Sequence, residues 1–377
     1  MASAALLRRA KLAAQSANVV RGGPEAVREV RVYRLREPVS GRSYTLIRIE
    51  TASGRRGYGE CPWVTDRELA TGLEALAGAA ATAVEPVRAR LAAVPRVNAA
   101  VNMALLDIVG QMAKAPLYQV LGGPTRNKVR VFAELEGASE DELKRSAARA
   151  LEAGYKAFSV PVGEVRAPNH GQAFVVGVRQ RMERLRAATG AGTDLVLDGA
   201  AKLTPGDAAS LAAALERFHP LWFDEPCPLS NLAAVRKISE ENVTPVGYGR
   251  WIHRAGEFQD LLRESMIDVL RPDIGWNGVT QIRRMATIAE TYYVAVAPYH
   301  AGGPVATAAA LHLAASLPNF FIQQIPLPAD AKDRQMRAEL ISAGSIEAVR
   351  DGFAQLPTGP GLGIRVSEEA LKKYAAA

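Results

Sequence analysis

The stretches DLVLD (194–198), LWFDE (221–225), PVGYGR (245–250), DVLRPD (268–273), VAVAPYH (294–300) and FFIQQ (320–324) decide the fold. Each is a short apolar run that closes on a charged or polar residue: Asp198, Glu225, Arg250, Asp273, His300 and Gln324. The closures recur about every 25 residues, and an amphipathic segment follows nearly every one. Short apolar runs alternating with helical patterns read as buried parallel strands. Repeated in this way they give a (β/α)8-type barrel, whose chemistry sits where the strands end. The repeat therefore marks a site, and Arg250 is its odd member, a cation among acids.

Working outward, VRVFAE (129–134) and KAFSVPV (156–162) supply two earlier strands, each followed by a helical pattern. A doubly wound sheet would want a glycine-rich phosphate turn after an early strand, and the chain has none. Before the barrel, EVRVYRLREPV (29–39), YTLIRIETASG (44–54) and RRGYGEC (55–61) alternate as strands. Residues 69–93 and 98–123 then read as two helices, the second stopped by Gly122 and Gly123. The expected organisation is a mobile leader over 1–25, an α+β capping domain over 26–125, a barrel over 126–326, and a segment over 327–377 that returns to the cap. In class terms this is an α/β chain: a modified (β/α)7β TIM-type barrel with an α+β capping domain formed by the N-terminal segment and the C-terminal tail.

The 377 residues are 48% hydrophobic, enough for a large core. No apolar run reaches the roughly 18 residues that span a membrane. The net charge of +7 invites a nucleic-acid reading, but the basic residues are spread through helices such as VRQRMERLR (178–186). Cys61 and Cys227 give neither a disulfide framework nor a zinc spacing. The expectations are a cytoplasmic homo-oligomer that contacts neither membrane nor nucleic acid. The alternative location is outside the cytoplasm, if ASAALL (2–7) is the remnant of an export signal.

ALLDIVGQMAKAPLYQVLGG (104–123), GYGE (57–60), FDEP (223–226), RPDIGWNGVTQIRRMATIAE (271–290), VAPYHAGGPVATAAALHLAASLPNF (296–320) and PGLGIRV (360–366) together carry a resemblance. They resemble the mandelate racemase and muconate lactonizing enzymes of the enolase superfamily, and most closely the galactonate dehydratase branch. The resemblance implies Mg²⁺ held by three carboxylates at the ends of strands three, four and five. It also implies a base that removes the proton α to the carboxylate of an acid sugar or similar small acid. The metal would then stabilise the enediolate that forms.

On this resemblance Asp198 and Glu225 match the first two metal positions, and Arg250 stands at the third. An arginine offers donors and no lone pair, so it cannot ligate Mg²⁺. Its guanidinium is expected between Asp198 and Glu225, in place of the metal's charge. Asp273 with His300 matches the dyad of the sixth and seventh strand ends; one deleted residue near WNG (276–278) would put Tyr299 there instead. Ser159 stands where a lysine base is usual, and Gln324 where a glutamate is common. Lys202, His253, Ser159 and Gln324 are the candidate substrate contacts. The alternative function is a non-catalytic relative in which Arg250 replaces the metal and the barrel binds a small acid or nothing.

Overall fold

The computed structural model describes residues 10–11, 23–76, 78–165, 171–230, 232–341 and 346–376. Most of the expected leader, ASAALL included, lies outside the described residues.

The cap is an antiparallel sheet in the order β1 (Ala10–Lys11), β2 (Val27–Arg36), β3 (Ser43–Thr51) and β4 (Arg56–Pro62). The helix Pro95–Met112 lies across it with one apolar side of Val97, Val101, Ala104, Leu105 and Ile108 fully buried. Gly57 and Gly59 of β4 make this close approach possible. A Cβ on either would run into the carbonyl oxygens of Ala104 and Ala100. The single helix expected over 69–93 is broken. Helices Asp66–Ala75 and Val84–Arg90 are separated by a turn in which Gly78 takes a φ of +66°.

The barrel strands are β5 (Lys128–Glu134), β6 (Ala157–Pro161), β7 (Asp194–Asp198), β8 (Phe223–Asp224), β9 (Val246–Tyr248), β10 (Val269–Leu270), β11 (Ala295–Val296) and β12 (Gln323–Gln324). Neighbours from β5 to β11 pair in parallel and in chain order. The ring closes where β12 pairs with β5 and where Val296 bridges Phe320. Inward side chains Phe132, Ala157, Val196, Trp222, Val269, Ala297 and Ile322 fill it as a packed core.

After β12 the chain adds no further barrel unit. The helix Ala331–Leu340 leads to the hairpin β13 (Val349–Arg350) and β14 (Phe353–Gln355), and β14 pairs antiparallel with β5. The chain then reaches the cap: Glu368 meets Arg48, Tyr33 and Tyr58, and the Ala376 N–H donates to Arg34 O at 2.7 Å. No described helix is long and apolar enough to cross a membrane.

Candidate active site at the cap–barrel cavity

A cavity of about 240 Å³ lies between cap strand β4 and the C-terminal ends of the barrel strands. Glu60, Cys61 and Pro62 line it from the cap; Arg250, Trp251, Asp273, Trp276, Tyr299 and His300 line it from the barrel.

Arg250 follows β9 and is almost wholly buried. Its Nη2 pairs with Asp198 Oδ2 at 2.9 Å and with Asp224 Oδ2. Its guanidinium stands 4.7 Å from the Tyr299 ring centroid. Asp224 is the centre of a charged chain that runs from buried Arg271 and Gln324 to Glu134, exposed at the end of β5. Arg271 Nε reaches Asp224 Oδ1 at 3.0 Å, Arg271 Nη2 donates to Gln324 Oε1 at 2.9 Å, and Gln324 Nε2 donates to Glu134 Oε2 at 3.1 Å. Burial opposes the charge on Asp224, but the two guanidiniums outweigh it and hold its carboxyl below the usual range. Burial, with the Asp224 charge nearby, pushes Asp198 the other way, up.

The expected pairing of Arg250 with Glu225 is corrected here: the partners are Asp198 and Asp224. The reason is local backbone geometry. Glu225 takes a left-handed φ of +44°, which turns its side chain back on the next strand. There Oε1 accepts from the Gly249 and Arg250 N–H groups at 2.8 and 2.9 Å. Oε2 is buried without a partner. Burial, with the Asp224 charge beside it, raises Glu225 to about 7. Such strained positions concentrate at functional sites.

These residues do not fit Mg²⁺. A hard cation wants ionised oxygen ligands around one open centre. Here a guanidinium occupies the place between the aspartates, and Glu225 Oε1 is already engaged by two backbone N–H groups. No group of three His, Cys, Asp or Glu is placed to hold a metal among the described residues.

Asp273 caps the next helix, with Oδ1 accepting from the Gly275 N–H at 2.7 Å. Burial raises the group to about 7 against the pull of the Gly275 and Trp276 N–H groups and of Arg250 and Arg271. The backbone bridge from Asp273 runs to Tyr299, so the residue beside it on the next strand is Tyr299. Burial drives the pKa of the Tyr299 hydroxyl upward, so it stays protonated.

His300 points the other way. Its Nε2 lies 2.8 Å from Thr307 Oγ1, and that hydroxyl donates to Glu347 Oε1 at 2.7 Å. The Thr307 proton is committed to a carboxylate, so His300 must donate, which fixes the Nε2–H tautomer. Burial, with Arg337 and Arg42 nearby, pushes its pKa well below the usual value. No hydrogen bond joins His300 to Asp273 among the described residues.

The remaining candidates scatter. Ser159 is buried in β6 with an unpartnered hydroxyl, and Lys202 is exposed. Neither lines the cavity. His253 stacks on Trp276, with ring centroids 4.1 Å apart and an interplanar angle of 10°. Gln324 is engaged in the charged chain rather than at the cavity.

Sequence reasoning missed Asp224, Arg271, Glu134 and Glu60. Glu60, the acid of GYGE, accepts from the Gly303, Val305 and Ala306 N–H groups at the start of the helix Pro304–Ser316. It fastens the cap to the loop that carries His300. The alternation of β4 was the available signal: it turns Glu60 to the same side as Tyr58.

Residues 28–122 match the family described as the mandelate racemase / muconate lactonizing enzyme N-terminal domain. Residues 142–370 match the enolase C-terminal domain-like family. The chain belongs to this family of the enolase superfamily. A D-galactonate dehydratase family member of Oceanicola granulosus is 30% identical over 310 residues, covering 73% of this chain and 74% of that protein. A D-mannonate dehydratase of Novosphingobium aromaticivorans is 29% identical, covering 74% of each. The crystal structure of a mandelate racemase/muconate lactonizing enzyme-like protein from Rubrobacter xylanophilus superposes with a TM-score of 0.84 at 24% identity. It covers 94% of this chain and 98% of that one, and supports the fold.

Proposed function

We propose that the cavity binds a small carboxylic acid of the acid-sugar class, and that the protein removes the proton α to its carboxylate as an acid-sugar dehydratase or racemase-like enzyme. The named relatives, a D-galactonate dehydratase family member and a D-mannonate dehydratase, support the substrate class. The observation that carries the chemistry is the meeting of Arg250, Asp273 and Tyr299 on one cavity.

In this reading Asp273 is the base. With a pKa of about 7 it is substantially ionised at neutral pH yet basic enough to accept a proton. Proton loss moves negative charge onto the substrate carboxylate oxygens, and the Arg250 guanidinium meets that charge in a site with little water. Tyr299, which stays protonated, donates to the departing β-hydroxyl in a dehydration, or to the opposite face of the α-carbon in a racemisation. His300 holds its loop and takes no proton.

The test is incorporation of solvent deuterium α to the carboxylate across an acid-sugar panel. Exchange should rise with pH to a plateau above about 7, and should be lost in Asp273→Asn. Tyr299→Phe should retain exchange and lose dehydration. If the whole panel stays unexchanged, or exchange persists undiminished in Asp273→Asn, the reading is wrong.

A further inference from the structure

We infer that Arg250 is a permanent internal cation that binds the carboxylate of a monoanionic acid directly, so that this barrel mouth works without a divalent metal. The inference rests on the proposed function for its ligand class, and the structure carries it on three counts.

The first is charge placement. Arg250 follows its strand as the other site residues follow theirs, and its Nη2 alone serves both Asp198 and Asp224. Those contacts tether the guanidinium between the strands. A second, doubly charged cation there would meet its repulsion at ion-pair distance.

The second is unmet donor capacity. A guanidinium has five N–H donors. Arg250 Nε is buried without a partner, and Nη1 makes no hydrogen bond among the described residues. The side chain is buried to more than nine-tenths and lines the cavity. A buried guanidinium with idle donors is costly, and a carboxylate is the acceptor best matched to it.

The third is how few other charges the cavity wall carries: beside Arg250 it presents Asp273, the base, and Glu60. Glu225 has turned to the backbone of the neighbouring strand. Glu60 is occupied by backbone N–H groups of the loop after β11. Trp251, Trp276, Pro62 and Ala306 supply apolar lining. An anion entering there meets the idle Nε and Nη1 donors of Arg250 with Asp273 beside them, which favours a single negative charge on a small acid.

The same geometry puts Arg250 in the place a metal would take between the aspartates. Arg250→Glu would replace the cation with a third carboxylate beside Asp198 and Asp224, the acids Arg250 now pairs with.

The test is calorimetric binding of D-galactonate, D-mannonate and D-xylonate to the wild-type protein in EDTA and again in millimolar Mg²⁺. At least one acid should bind, with the same affinity in both to within about twofold. Arg250→Gln should weaken it about 10- to 150-fold, the range for hydrogen bonds to charged groups. Arg250→Lys, which keeps the charge and is the safer variant for folding, should fall between. Mg²⁺ should leave the melting temperature of the wild type unchanged and raise that of Arg250→Glu. Mg²⁺ bound by the wild type, affinity that depends on Mg²⁺, or no binding by any acid overturns the inference. Binding in EDTA without deuterium exchange would sink the proposed proton abstraction and leave the anion site standing; exchange that requires Mg²⁺ would do the reverse.

Discussion

Asp224→Asn is the sharpest probe of where the charge at the barrel mouth is balanced. The substitution keeps the size of a wholly buried side chain and removes its charge. Arg250 would keep Asp198 at 2.9 Å, while Arg271 would keep only neutral acceptors, Gln324 Oε1 at 2.9 Å and Ala297 O at 2.5 Å. Removing one partner of a buried pair costs about 3–5 kcal/mol, because the other charge stays buried and unpaired. Two guanidiniums lose a partner here, so the full range applies. Glu225→Gln one position on should behave differently. The glutamine oxygen can still accept from Gly249 and Arg250 N–H groups, and the carboxyl it replaces is held near half protonation at pH 7. Its cost should be about 1 kcal/mol, that of one ordinary hydrogen bond at most. Urea unfolding at pH 7 in EDTA, extrapolated linearly, separates the two cases. A Glu225→Gln loss larger than that of Asp224→Asn, or an Asp224→Asn loss near 1 kcal/mol, would show that the charge is balanced on Glu225 and refute this account of the site.

Asp273 gives a pH signature. Its folded pKa of about 7 lies above the ordinary 3.8, so it favours the native state while protonated; that contribution is complete below about pH 4 and is lost as pH rises through about 7. The groups that act on it are Arg250, Arg271 and the Gly275 and Trp276 N–H groups. Wild-type stability should therefore fall relative to Asp273→Asn between about pH 4 and 7, and a constant difference in unfolding free energy across that window would contradict the burial argument. For His300, nitrogen NMR should show one neutral Nε2–H tautomer that does not titrate between about pH 5 and 8, with Thr307→Val altering it; titration near the ordinary value would mean the imidazole is not enclosed as described. Gly59→Ala should cost about 1–3 kcal/mol by forcing β4 away from the Ala100 carbonyl, and an unchanged melting temperature would show that the cap packs more loosely than this.

The barrel could be read from the chain because its signal repeats. A buried strand followed by an amphipathic helix, again and again, places Asp198, Arg250 and Asp273 at strand ends whatever the loops do. The cap was legible in its strands and in the helix Pro95–Met112, but alanine-rich apolar spacing runs through residues 69–93 without marking the turn around Gly78. Inside the site, what failed was register. Adjacent residues on a strand face opposite sides, and a one-residue error exchanges them. Asp224 and Glu225 are such a pair: a left-handed φ at Glu225 sends it to the backbone of the next strand and leaves Asp224 to face the guanidiniums. Tyr299 and His300 are another, and only the bridge from Asp273 to Tyr299 tells which residue stands across the strand gap. Arg271 and Glu134 were hidden for a related reason. Each reads in sequence as an ordinary charged residue, and only barrel closure between β12 and β5 brings Gln324 between them. Arg250 was legible because arginine at a strand end breaks a chemical pattern. Which acids answer it depends on one dihedral angle, and apolar periodicity carries no record of that.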